Sequence, residues 1–202
     1  SYFLFGVPGD VLVRMRFPLG ELTKEQVRAE GRRLGVPNAD KPDSQELCFV
    51  PDGDVAGFVR RERGPGRPGR LVDAQGAVLG RHPGVEGFTV GQRRGLGLGG
   101  GPARYVLRIV GDDVVVGGDA ALAGHTLRAR DARWVSGRAP ETAFDAAVRV
   151  RHRHRPAPAR VVPRGHDRFD VEFLAPQRAL TPGQAAVVYR DDQVLGGGFI
   201  DA

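Results

Sequence analysis

The last hundred residues are a succession of short apolar segments cut apart by turn signals, and this rhythm constrains the fold more than any other feature. Segments at 105–110, 114–116, 126–135, 144–151, 159–162, 169–174, 185–189 and 194–200 are rich in valine, isoleucine and aromatic residues. Such side chains fit a pleated, half-buried surface. Gly111-Asp112, Gly137, Arg164-Gly165-His166-Asp167 and Asp191-Asp192 separate them. A chain that turns back this often predicts a small antiparallel barrel or sandwich. The 30 glycines and 15 prolines among 202 residues point the same way, away from long helices.

Upstream the pattern is different. Thr23 and Gln26 form a capping-box pair, so a helix is predicted over 24–34, with Gly35 as its stop. Val13, Met15 and Phe17 alternate with Arg14 and Arg16, which reads as a half-buried strand or a short helix. Residues 36–57 are polar and turn-rich, and 62–70 read as a flexible loop. Leu71-Val72 and Val78-Leu79 flank a turn at 73–77, a hairpin signal. Boundaries are placed after residues 57 and 103, which gives three units: 1–57, a small central β unit at 58–103, and a terminal barrel at 104–202.

Several classes are excluded. There is no run of 18 apolar residues, so no transmembrane helix and no membrane partner is expected. No signal peptide is visible, and one cysteine excludes a disulfide framework or a cysteine-rich metal site. A reduced, cytoplasmic setting fits these features. The chain begins with serine followed at once by apolar Tyr2-Phe3-Leu4-Phe5, so a start inside a longer protein is expected.

The formal charge is +6, and only Lys24 and Lys41 among the basic residues are lysine. Residues 1–50 are balanced, whereas 149–168 carry seven arginines against Asp167 alone. A local excess of this kind points to a polyanion. On a strand, Arg149, Arg151, Arg153 and Arg155 would share one face, either as a solvated edge or as a contact for a nucleic-acid backbone. The few aromatics nearby argue against a base-stacking platform of the RRM type.

Cys48 sits in DSQELCF, between Leu47 and Phe49. It is either a small buried hydrophobe or an accessible thiol on a loop. His82, His125, His152, His154 and His166 match no cysteine-protease signature. His152 and His154 stand in a field of arginines that repels a metal ion. Residues 95–100 spell G-x-G-x-x-G, but no helix is expected after them and no Walker lysine is present, so nucleotide binding by this loop is rejected. Arg93 and Arg94 beside it are suited to approach phosphate.

Five blocks carry a resemblance: FPLGELTKEQVR, GVPNADKPDSQELCFVPDGD, FTVGQRRGLG, RHRHRPAPA and PQRALTPGQAAVVYRDDQVLGGGFI. In this order and over nearly the whole chain, they resemble the C-terminal part of the tRNA-specific 2-thiouridylase family. The resemblance implies that residues 1–57 are the tail of an ATP-pyrophosphatase-type catalytic domain whose ATP-binding loop would precede Ser1. The fold implied is mainly β, with an N-terminal α/β remnant, a small central β domain and a C-terminal antiparallel β-barrel. It further implies that Cys48 carries sulfur as a persulfide for 2-thiouridine formation at the wobble position. A sulfur donor, either a cysteine desulfurase or a relay protein, would supply it, and an upstream cysteine would pair transiently with Cys48. The family's tRNA-contacting positions fall on Arg151, His152 and Gln184, with histidine where many members have tyrosine. No cofactor is expected in this chain alone, which should be inactive without the ATP-binding loop. The alternative is a non-catalytic RNA-binding barrel like those of translation factors, in which Cys48 is incidental.

Overall fold

A computed structural model describes residues 2–41, 50, 53–152 and 154–201. Cys48, the predicted sulfur carrier, lies outside the described residues. The chain opens with a 3-10 turn (Tyr2–Gly6), then α1 (Gly9–Leu12), α2 (Lys24–Arg33) and α3 (Val55–Arg63). Among the described residues ten strands follow: β1 (Gly69–Val72), β2 (Val78–His82), β3 (Tyr105–Val110), β4 (Asp113–Gly117), β5 (Ala123–Trp134), β6 (Phe144–Arg149), β7 (Ala157–Pro163), β8 (Phe169–Arg178), β9 (Ala185–Arg190) and β10 (Gln193–Ile200).

Helix α2 starts where its capping box places it. Thr23 Oγ1 accepts from the Gln26 amide, and Gln26 Oε1 accepts from the Thr23 amide at 2.7 Å. Gly35, with φ +68°, follows the C-cap Leu34. The alternating run at 13–17 forms neither a strand nor the α1 helix, which ends at Leu12. No described element pairs with it, and Val13 is 84 % exposed. Helix α3 has no counterpart in the sequence reading and spans the boundary drawn after residue 57. Its signal is a cap: the Asp54 carboxylate accepts from the Gly57 amide at 2.8 Å.

Strands β1 to β4 form one sheet in the order β2-β1-β4-β3. The Asp73 carboxylate accepts from the Gln75 and Ala77 amides and closes the predicted β1–β2 hairpin. The sequence pattern places strands β3 and β4 in the barrel, but they complete this first sheet instead. The free edge of β1 takes β4 in parallel, with Arg70 opposite Asp113, and Val114 and Val116 alternate into a core with Leu71 and Val106.

The barrel therefore begins at Ala123. Six antiparallel strands close in the order β10-β5-β8-β7-β6-β9, which leaves no free edge. Its interior is filled by valines from β6 to β9 around Trp134 and Phe169, whose ring centroids are 5.5 Å apart. In β10 the Gly196-Gly197-Gly198 run permits close approach on both faces. A Cβ at Gly197 would lie 2.7 Å from the Phe5 ring, outside the barrel. A Cβ at Gly198 would lie 2.7 Å from the Arg130 carbonyl oxygen. Phe5 and Tyr2 thereby seat the first turn on the barrel wall against Val187 and Tyr189.

Candidate nucleic-acid interface

The arginine-rich row is not a strand. Strand β6 ends at Arg149, opposite Val187 of β9, and β7 resumes at Ala157. Pairing of β6 with β7 stops at Val148 and Ala157. Val150 still points into the core, at 1 % exposure, and then the chain turns, with the His154 amide donating to the Arg151 carbonyl. Pro156, which has no N–H, cannot continue the ladder, and a turn spreads charges that a strand would hold side by side. Among the described residues, Arg149, Arg151 and Arg155 do not share a strand face, because β6 ends at Arg149; Arg153 lies outside the described residues.

What forms instead is a cluster at one end of the barrel. The Arg149 guanidinium lies over the Tyr189 ring at 5.3 Å. Arg151 is half-buried, and its Nη2 donates to the Arg178 carbonyl at 2.5 Å. Arg178 itself stacks over Tyr105 at 5.1 Å and pairs with Asp119 at 2.8 Å, which ties the barrel to the first sheet. Gln184 lies on the turn that leads from β8 into β9. Its amide donates to the Thr181 carbonyl and its own carbonyl accepts from the Ile200 amide. The register of β6 on β9 thus brings Arg151, His152 and Gln184 to the same end. Arg151 Nε, His154 Nδ1 and Gln184 Oε1 are buried atoms with no hydrogen-bond partner among the described residues. Such groups are few in folded proteins, and each calls for an explanation.

Aromatic residues are also present, contrary to the sequence expectation. Phe3 stacks on His152 with centroids 4.7 Å apart and planes 27° from parallel, and Tyr2 meets the same imidazole at 5.8 Å. They come from the other end of the chain, so no local pattern around 149–155 could show them. The only trace was the apolar start, Tyr2-Phe3-Leu4-Phe5. The Tyr2 hydroxyl donates to the Ala185 carbonyl at 2.8 Å. Burial pushes its pKa above the ordinary tyrosine value, Tyr189 adds to this, and Arg149 and Arg151 oppose it.

The glycine run at 95–101 serves packing. Leu96 is buried in the core of the first sheet and Leu98 packs against it, each flanked by glycines that let the loop fold over the sheet. The run leads into β3, not a helix, so these residues do not fit a nucleotide phosphate. Arg93 and Arg94 are exposed beside it. At the opposite end of the barrel a cavity of about 1110 Å³ is lined by residues of both charges, including Asp131, Arg133 and Asp167.

Comparison with known proteins accounts for almost the entire chain. The family described as the tRNA methyl transferase HUP domain matches residues 1–52. The tRNA methyl transferase PRC-barrel domain matches 56–117, and the aminomethyltransferase beta-barrel domain matches 124–200. The tRNA-specific 2-thiouridylase MnmA of Roseiflexus sp. (strain RS-1) is 45 % identical over 203 residues, covering 99 % of this chain and 54 % of that protein. The protein of the same name from Geobacter metallireducens is 45 % identical over 205 residues, covering 100 % and 55 %. That from Chloroflexus aurantiacus is 46 % identical, covering 99 % and 56 %. The chain spans about half the length of the curated relatives it matches.

Proposed function

Since the chain belongs to the tRNA-specific 2-thiouridylase family, we propose that it is the part of an ATP-dependent tRNA sulfurtransferase that carries sulfur on Cys48 and holds tRNA on the barrel end. The observation that carries this is 45 % identity to curated 2-thiouridylases over 99–100 % of this chain. Two of the matching families are described as tRNA methyl transferase domains. The thiouridylase reading is preferred because it rests on relatives matched over almost all of this chain and gives Cys48 a task. The clustering of Arg149, Arg151, His152 and Gln184 supports the tRNA-binding half of the reading.

In this reading Cys48 accepts sulfane sulfur from a donor protein and becomes a persulfide. The wobble-uridine oxygen would first be activated by transfer of AMP from ATP; the terminal sulfur then attacks the carbon that bears it, the C–S bond forms, the C–O bond breaks and the oxygen departs with AMP. A second thiolate then attacks the Cys48 sulfur. The S–S bond breaks toward the thiolated base, and a disulfide remains that an external thiol must reduce. The described residues do not fit ATP, which would be held by the family's ATP-binding loop. The arginines neutralise tRNA phosphates and position the substrate, while Gln184 supplies amide hydrogen bonds. The setting proposed is the cytoplasm, where a thiol persists reduced. No described helix is long and apolar enough to cross a membrane.

The test is Cys48→Ser in the full-length protein, with tRNA 2-thiouridine read by mass spectrometry and tRNA affinity measured in parallel. Loss of thiolation with retained binding supports the proposal. Retained thiolation would show that Cys48 is not the sulfur carrier, and a large loss of binding would make it a structural residue; tRNA binding without any thiolation by the wild-type protein would leave the non-catalytic RNA-binding barrel as the better reading.

A further inference from the structure

We propose that the peptide joining Arg178 to Ala179 is the seat that aims Arg151 at RNA, which makes Arg178 and Asp119 positioning residues for tRNA binding. The proposal rests on the reading that Arg151 meets tRNA, and adds what holds it there. A guanidinium is a rigid planar fork with five N–H donors, so one fixed bond orients the rest. Arg151 Nη2 makes that bond to the Arg178 carbonyl at 2.5 Å. Its buried Nε has no partner among the described residues. The donors that remain are those a phosphate can use.

The seat is itself held from several sides. The peptide unit that accepts from Arg151 gives its own N–H, that of Ala179, to the Leu122 carbonyl at 2.8 Å. Leu122 closes a 3-10 turn, Asp119–Leu122, and Asp119 at the head of that turn accepts from Arg178 Nε at 2.9 Å. One turn therefore grips both the Arg178 side chain and the amide that follows it. Ala179 has φ +54°, a left-handed conformation that a residue with a Cβ keeps only where its surroundings impose it. Those surroundings are tight. Ala179 is buried, its Cβ would stand 3.1 Å from a Cβ on Gly91, and its carbonyl accepts from the Thr181 hydroxyl at 3.0 Å. Tyr105 of the first sheet lies under the Arg178 guanidinium at 5.1 Å. Asp119 also offsets the charge of Arg178, so Arg151 keeps its own charge for a ligand. Every partner in this arrangement lies between residues 91 and 181. Released from Asp119, the peptide can relax out of the left-handed conformation and turn its carbonyl away from Arg151.

The experiment measures tRNA binding against salt, with a melt alongside, for the full-length protein and for Asp119→Ala, Asp119→Asn, Arg151→Ala and the Asp119→Ala, Arg151→Ala double variant. Removing an acidic charge beside a polyanion site should by itself tighten binding. The seat predicts the opposite sign. Asp119→Ala should weaken tRNA binding about two- to thirty-fold, the range for residues that act through others. It should also flatten the slope of log K against log salt toward that of Arg151→Ala. Asp119→Asn loses the same charge but keeps an oxygen that accepts from Arg178, and should bind close to wild type. The double variant should bind no more weakly than Arg151→Ala, because nothing is left to aim. Tighter or unchanged binding in Asp119→Ala, an equal loss in Asp119→Asn, or an additive loss in the double variant would overturn the seat. A lower melt in Asp119→Ala with an unchanged slope would also overturn it and leave the contact purely structural. If Arg151→Ala changes neither affinity nor slope, the tRNA reading of Arg151 fails and the seat with it. If Arg151→Ala flattens the slope and Asp119→Ala does not, only the seat fails.

Discussion

The hydroxyl of Tyr2 donates to the carbonyl of Ala185 at 2.8 Å, across a sequence separation of 183 residues. This bond fastens the first turn to β9, beside the arginine cluster. Tyr2→Phe keeps the ring and removes the bond, at a cost of about 1 kcal/mol in a thermal or denaturant melt. Because the folded pKa of Tyr2 lies above its ordinary 10.0, the neutral phenol is favoured by folding. The stabilisation is complete below the unfolded pKa and is lost as pH rises through the folded value. A tyrosinate absorbance titration should therefore show a component above the ordinary tyrosine range that is missing from Tyr2→Phe. A late component that survives the substitution would assign it elsewhere.

Gly197 is a second point of contact for the first turn. An added methyl would stand 2.7 Å from the Phe5 ring and 2.8 Å from the Ala186 carbonyl oxygen. Gly197→Ala should expel Phe5 or shift β10, at roughly 1–3 kcal/mol, the usual range for overpacking. Gly99→Ala, with open space around it, is the control and should melt near wild type. An unchanged melt in Gly197→Ala would mean that Phe5 is not seated as described.

In the first sheet, Arg70 grips Asp113 with two hydrogen bonds, and this holds the Asp113 carboxyl below its ordinary pKa. A lowered folded pKa stabilises above the unfolded value, and the contribution is lost as pH falls through the folded one. Melts from neutral to acidic pH should therefore decline less steeply for Asp113→Asn than for wild type. Parallel curves would show that the pair adds nothing to the β1–β4 register.

The fold was legible where local chemistry decides it. The Thr23–Gln26 box, the Asp73 hairpin and the alternating barrel strands each announce themselves within a few residues. It was not legible where distant segments compete for an edge. Residues 105–117 have the same β pattern whether they enter the barrel or the first sheet, and only the vacant edge of β1 and the Arg70–Asp113 pair decide between them. The site divides in the same way. The arginine excess, Arg151 and Gln184 were visible as charge and as a family resemblance. The turn that breaks the arginine row depends on where β6 loses its partner. The Phe3–His152 stack depends on Phe5 finding Gly197 at the far end of the chain.

The salt dependence of tRNA binding bears most directly on the central claim. Affinity is measured over a series of salt concentrations for wild type and Arg151→Ala, with a melt alongside. Arg151 also bonds to Arg178, so the substitution should lower stability by about 1 kcal/mol. If Arg151 also meets a phosphate, the slope of log K against log salt should flatten by roughly 0.7–0.9, the value of one contact, with no change in which base is modified. An unchanged slope, with only the melt affected, would make Arg151 a structural residue and place the tRNA elsewhere.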